Sequence, residues 1–179
     1  MSGADDAALV RACLAGDTRA FDELVCEHGK AIYNLAYRVL GDAEEARDVA
    51  QTTFLKAWEN LERFDERHKF FSWIYRIAMN EALNVAGGSR RRAPLAGDPP
   101  APGRSAEELA ASSETSRQVQ AALLGLEPDH RLLIVLRHFS HLGYHEIARI
   151  VGVPEKTVKS RLFTARQLLR RELCHKGVR

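Results

Sequence analysis

Between residues 156 and 170, Lys156, Lys159, Phe163, Arg166 and Arg170 recur at spacings of three and four, so a helix carries them on one face. Val158, Leu162, Ala165, Leu169 and Leu173 fall opposite, on a narrow apolar stripe suited to a core. Ammonium and guanidinium groups on one rigid face suit nucleic-acid phosphates and guanine edges. A phenyl ring among them suits thymine methyls or sugar edges. Thr157, Ser160, Arg161 and Thr164 lie near the edges of that face. Upstream, Ala148, Gly152 and Val158 stand where a helix-turn-helix needs a small residue, a turn glycine and an apolar plug. Pro154 fits the first turn of the second helix, where its missing N–H costs nothing. The plainer alternative is a solvated basic helix in a bundle, and Phe163 argues against it.

A second set lies between residues 73 and 84. Trp73, Arg76, Asn80 and Asn84 are spaced by three, four and four. An aromatic beside arginine and two amides suits stacking on, and hydrogen bonding to, unpaired bases. The preceding stretch RFDERHKFF adds Arg63, Arg67, His68 and Lys69 for backbone phosphates. The alternative makes Trp73 an edge-of-core aromatic and the amides ordinary surface residues.

These faces need helices to hold them. Asp17 to Leu40 reads as one helix, broken by Gly41. Asp42 is an N-cap for a second that runs to about Leu61. In that second helix Ala46, Val49, Ala50, Phe54, Ala57 and Trp58 are expected on the buried side. A third covers about Phe70 to Val85, ended by Gly87 and Gly88. No strand pattern stands out. The reading is all-α: two small helical domains, residues 1–88 and 111–179, joined by a flexible linker over 89–110 rich in proline, glycine and arginine.

Charge is divided along the chain. From 154 to 179 eight Lys/Arg face two Glu, whereas from 41 to 66 eight Asp/Glu face three Lys/Arg, so one end suits phosphates and the other a basic partner. No apolar run approaches the ~20 residues of a membrane span, and the acidic N-terminus lacks a signal-peptide core, so a cytoplasmic protein is expected. Cys13, Cys26 and Cys174 form no CxxC pair. Cys26 near His28 and Cys174 beside His175 point apart on helices, so no metal or cofactor is expected. There is no P-loop, HExxH or nucleophile–base motif, so the chain does not read as an enzyme.

Three segments, DAEEARDVAQTTFLKAW (42–58), FFSWIYRIAMNEAL (70–83) and YHEIARIVGVPEKTVKSRLFTAR (144–166), resemble the extracytoplasmic-function (ECF) group of bacterial sigma factors in order and spacing. The resemblance implies that 42–58 docks on a coiled coil of the polymerase β′ subunit, with Glu44, Glu45, Asp48, Gln51 and Lys56 in polar contact and Phe54 and Trp58 holding the domain together. It implies that 62–84 opens and reads the minus-10 promoter element through Arg63, Lys69, Trp73, Arg76, Asn80 and Asn84. A base extruded from the duplex would enter the 62–70 loop. The 156–166 helix is similar to the reader of the minus-35 element. Lys156, Thr157, Lys159, Ser160, Arg161, Phe163, Thr164 and Arg166 stand there, and Arg137 matches a backbone-contacting arginine ahead of the turn. The implied partners are core RNA polymerase (β′ and β), promoter DNA and an anti-sigma factor, which could hold the chain at the inner membrane. His145, Lys156 and Thr164 depart from the common pattern, so the minus-35 sequence does not transfer from relatives. The competing reading is a stand-alone regulator using only the helix-turn-helix.

Overall fold

The computed structural model describes residues 3–89 and 114–176, and every regular element in them is a helix. Helices α1 (Gly3–Leu14), α2 (Arg19–Leu40), α3 (Ala43–Glu59) and α4 (Phe70–Ser89) form an N-terminal bundle. Helices α5 (Glu114–Leu124), α6 (Pro128–Ile134), α7 (Tyr144–Val151) and α8 (Glu155–His175) form a C-terminal one. The fold is all-α, as the sequence pattern predicts. Ser89, the first residue of the expected 89–110 linker, is the last residue of α4, and residues 90–113 lie outside the described residues.

Helix α2 buries Leu24, Ile32, Leu35, Ala36 and Val39 at helical spacing. It ends at Gly41, whose left-handed φ of +80° lets its N–H return to the Tyr37 carbonyl at 2.8 Å. A side chain at Gly41 would also meet Leu124 of α5, because an added Cβ would lie 2.6 Å from a Leu124 methyl. Asp42 then caps α3, accepting from the backbone N–H groups of Glu44 and Glu45 at 2.8 and 2.9 Å.

Two boundaries differ from expectation. Helix α4 runs through Gly87 and Gly88 to Ser89 instead of stopping at them. Each glycine costs only about 1 kcal/mol against alanine, and Ala82 and Ala86, buried beneath that stretch, anchor the helix. The sequence reading also begins too late, because α1 precedes Asp17. That helix buries Val10 and Cys13, and its buried Asp6 carboxylate lies 3.1 Å from His28 Nε2 of α2.

The two bundles share one apolar core. It runs from Val10 and Leu24 through Phe70, Ile74 and Met79 to Leu133, Leu136, Ile147, Ile150 and Leu162. A smaller cluster of Leu123, Leu126, Ile134 and Ala165 closes the far side of the C-terminal bundle. Past α6 the helix widens by one residue, with the Ser140 N–H reaching the Val135 carbonyl at 3.0 Å.

Candidate nucleic-acid and protein interfaces

Helix α8 separates its faces as the spacing predicts. Val158, Leu162 and Ala165 are fully buried, whereas Lys156, Lys159, Ser160, Arg161, Phe163, Thr164, Arg166 and Arg170 are exposed. Phe163 keeps 64% of its surface in solvent and does nothing for the core. Pro154 stands one residue ahead of the helix, not inside its first turn, and its carbonyl accepts from Thr157 and Val158. Gly152, with φ of +75°, closes α7 by returning its N–H to the Ala148 carbonyl at 2.9 Å.

Part of the basic face is braced by neighbouring groups, some near in sequence and some distant. Lys159 pairs with Glu155 at 2.8 Å, one turn back. Its ammonium also lies 5.4 Å over the Tyr144 ring, and the Arg137 guanidinium lies 5.0 Å from the same ring. Arg166 is hydrogen-bonded with the Tyr144 hydroxyl, which pulls that phenol below its ordinary pKa. Arg166 also donates to His138 Nε2 at 3.3 Å. Burial first, then the positive charges of Arg166 and Arg137, hold His138 below the usual histidine range, so a neutral ring accepts that bond. Arg137 itself donates to the Leu142 carbonyl at 2.8 Å and is half-buried. It fixes the loop into α7, with its guanidinium turned inward from the surface role its position suggests. At the start of α7, Glu146 accepts from the Gly143 N–H at 3.0 Å; that bond and Lys69 lower its carboxyl pKa.

Phe163→Ala removes little buried surface, since the ring lies outside both apolar clusters. We expect stability within about 0.5 kcal/mol of wild type, read by chemical denaturation, and a changed preference among duplex sequences, read by selection from a random duplex pool. An unchanged preference would mean that α8 reads DNA through another face.

The second candidate face belongs to α4. Asn80 and Asn84 are exposed along one line. Trp73 is half-buried, packed 5.5 Å from Phe64 and 5.6 Å from Phe70, so it belongs partly to the core edge. Its remaining edge lines a cleft of about 390 Å³ with Arg63, His68 and Ser72. The opposite wall is Ala148, Arg149 and Gly152 of the C-terminal bundle. Arg76 crosses that cleft: Nε donates to the Ile150 carbonyl at 3.1 Å and Nη2 to the Arg149 carbonyl at 2.6 Å. Lys69 also links the two bundles, reaching Glu146 at 3.4 Å. Arg67 is tied to Asp65 at 2.6 Å, which pulls the Asp65 carboxyl down to about 2.

The third face lies on the seam of α2 and α3. Phe21, Val25, Gly29 and Tyr33, each four residues apart, meet Ala50, Phe54, Leu55 and Trp58 in an open apolar groove of about 550 Å³. Phe54 is buried, but Trp58 is 42% exposed and Leu55 63% exposed. Trp58 therefore rims the groove, edge-on to Phe21 at 4.9 Å, instead of holding the domain together. The cause is the tight seam made by Ala46, Val49, Thr53 and Ala57, which turns Trp58 outward. Glu44, Asp48, Gln51, Leu55 and Trp58, alternately four and three residues apart, are all exposed and form one stripe from the acidic end of α3 into the groove. Glu45 lies beside it, half-buried. Lys56 does not join it. It turns to the α4 side, pairs with Glu81 at 2.6 Å, and lines a smaller cleft of about 310 Å³ with Arg63, Trp73 and Asn80.

Comparison with known proteins accounts for this combination. The family model described as Sigma-70 region 2 matches residues 24–92, and that described as Sigma-70, region 4 matches residues 116–169. The chain is 34% identical to the ECF RNA polymerase sigma factor SigW of Bacillus subtilis, over 88% of this chain and 91% of that protein. Its fold superposes on CnrH, solved in complex with the cytosolic domain of CnrY, with a TM-score of 0.73 and 27% identity over 96% of this chain and 98% of that one. A further likeness of fold is the sigma factor RpoE of Bartonella quintana, solved with the anti-sigma factor NepR, with a TM-score of 0.68 and 24% identity over 87% of this chain and 98% of that one. None of the described helices is long and apolar enough to cross a membrane. The chain belongs to the ECF group of the sigma-70 family of RNA polymerase sigma factors.

Proposed function

We propose that this sigma factor uses the α2–α3 groove and the Glu44–Trp58 stripe to dock on a coiled coil of the polymerase β′ subunit. The Trp73–Asn84 face would then hold the unpaired minus-10 strand, and α8 would hold the minus-35 duplex. The observation that carries this reading is the α3 stripe. Its residues alternate by four and three, the spacing with which a helix packs along a coiled coil. Its acids suit basic residues on the partner, and its apolar end supplies buried area. Lys56, placed with Arg63, Trp73 and Asn80, falls on the DNA side of this division, as a phosphate contact instead of a polymerase contact. Arg137 acts by shaping the turn. The same apolar groove is the surface an anti-sigma factor would cover, and membrane attachment would come only through such a partner.

The test combines two measurements. Replacing Asn80 and Asn84 together by alanine should lower open-complex formation by about tenfold or more, because each amide that hydrogen-bonds a base is worth about 1 kcal/mol. Binding to core polymerase, read in parallel, should be unchanged. Loss of polymerase binding would show that this face is structural. Failure of the unaltered protein to bind core polymerase, with tight duplex binding alone, would favour a stand-alone regulator.

A further inference from the structure

Four polar or charged residues are buried among the described residues: Asp6, His28, Thr53 and Arg131. Thr53 and Arg131 donate to backbone carbonyls, the ordinary way to satisfy a buried donor. Asp6 and His28 instead face each other across the α1–α2 seam. Their exposures are 5% and 7%, and His28 Nε2 lies 3.1 Å from Asp6 Oδ1. A buried carboxylate is costly unless its charge is balanced, and a neutral imidazole N–H supplies one hydrogen bond and no charge.

Glu27 makes the group a trio. One carboxylate oxygen of Asp6, one of Glu27 and a ring nitrogen of His28 all lie within 4.8 Å of one another. Neighbours on a helix leave its axis about 100° apart, and the long Glu27 side chain bridges that angle. The His28 ring is held in place by Phe70 and Phe71 at the start of α4, with centroids 5.5 and 6.2 Å away. Spacing gave no hint of this, because Asp6 and His28 are twenty-two residues apart. The thiol nearest in sequence, Cys26, is exposed.

We propose that Asp6, Glu27 and His28 form a binding site for a divalent transition-metal ion of the zinc type, which fastens α1 to α2. Two carboxylates and a neutral imidazole carry two negative charges, which one divalent cation cancels. Zinc binds nitrogen and carboxylate oxygen at about 2.0–2.2 Å, so two ligands at tetrahedral angles stand about 3.3 Å apart. The 3.1 Å between Nε2 and Oδ1 already matches that edge. Calcium and magnesium fit poorly, since they take six or more oxygen ligands and little nitrogen. Glu27 is half-buried, so the ion enters from its side and keeps a fourth position there for water. The ion takes the place of the proton between Nε2 and Oδ1, and the imidazole carries its proton on Nδ1 instead.

The site reaches beyond α1. Arg11 pairs with Glu66 of the 62–70 loop at 2.6 Å, and the His28 ring backs Phe70 where α4 begins. An ion at Asp6 therefore stiffens the helix that braces that loop from behind.

The test uses the full chain with Cys26→Ser and Cys174→Ser, which removes the exposed thiols as competing ligands. After chelator treatment, zinc titrated against a chromophoric chelator should bind at one ion per chain. Asp6→Asn should abolish that binding. Glu27→Gln leaves the Asp6–His28 bond in place, so it keeps the fold, checked by circular dichroism. It should weaken zinc by at least about tenfold, since even outer partners of a metal site are worth 10- to 100-fold. Zinc should also slow amide hydrogen exchange in α1 of the parent chain and not of Glu27→Gln. Absence of zinc binding overturns the site. Unchanged affinity in Glu27→Gln overturns it too, as does bound zinc that leaves α1 exchange unaltered.

Discussion

Replacing Leu55 by glutamate should abolish most of the affinity for core RNA polymerase while leaving the protein folded. Leu55 is 63% exposed and adds nothing to the N-terminal core, so the fold has little to lose. It forms one wall of an apolar groove with Phe21, Val25 and Trp58, and a carboxylate there would be buried against apolar surface in the complex. Anchors at the centre of an interface typically cost about 2–4 kcal/mol when removed, which is about 30- to 1000-fold in Kd. Trp58→Ala should behave similarly, whereas Glu44→Gln, at the solvated end of the stripe, should cost about 1 kcal/mol or less. Titrating labelled core polymerase with each variant orders them directly. Equal affinity for Leu55→Glu and the unaltered protein would move the docking surface elsewhere.

Arg131→Ala should destabilise the C-terminal bundle by about 3–5 kcal/mol, the cost of leaving several buried polar groups without their partner. The side chain is buried beneath α5. Its Nε donates to the Leu123 carbonyl at 2.9 Å, and Nη2 donates to the Leu124 and Leu126 carbonyls at 2.8 Å each. Nη1 donates to the Val39 carbonyl of α2. The Leu124 and Leu126 carbonyls lie at the end of α5 and in its turn, where the helix offers no N–H of its own, and the Leu123 carbonyl also accepts from the Leu126 N–H at 3.0 Å. Arg131→Lys keeps the charge but loses the fork, so it should be nearly as destabilised. Urea unfolding followed by helical ellipticity measures both. A loss under about 1 kcal/mol for the alanine variant would mean that water or a neighbour replaces the guanidinium.

No sequence pattern singled out Arg131, and the reason is physical. It lies within the short run PDHRLLI and reads as a surface arginine until α5, α2 and α6 converge on it. Tyr144 is a parallel case. It gathers Arg137, Lys159 and Arg166, which are seven, fifteen and twenty-two residues away, a grouping that exists only once the loop into α7 is folded. Trp58 shows the opposite error. Apolar type and period suggested burial, but the small Ala46 and Ala57 bring α2 and α3 so close that the indole is left on the rim. With it comes Leu55, on the wall of the apolar groove, which no residue-type argument singles out.

The sequence by itself determined what depends on neighbours within a few turns. That covers the helices and most of their faces, the Asp42 cap, the turns at Gly41 and Gly152, and the separation of basic from apolar positions on α8. It also placed Trp73, Arg76, Asn80 and Asn84 on one line. Only the tertiary structure decided where those faces look. It turned Lys56 toward Glu81 and Asn80, turned Arg137 inward onto Leu142, and set Arg76 against the end of α7. Periodicity fixes an angle around one helix axis, whereas an interface depends on which second helix arrives there, and that is set by packing between residues as distant as Gly41 and Leu124.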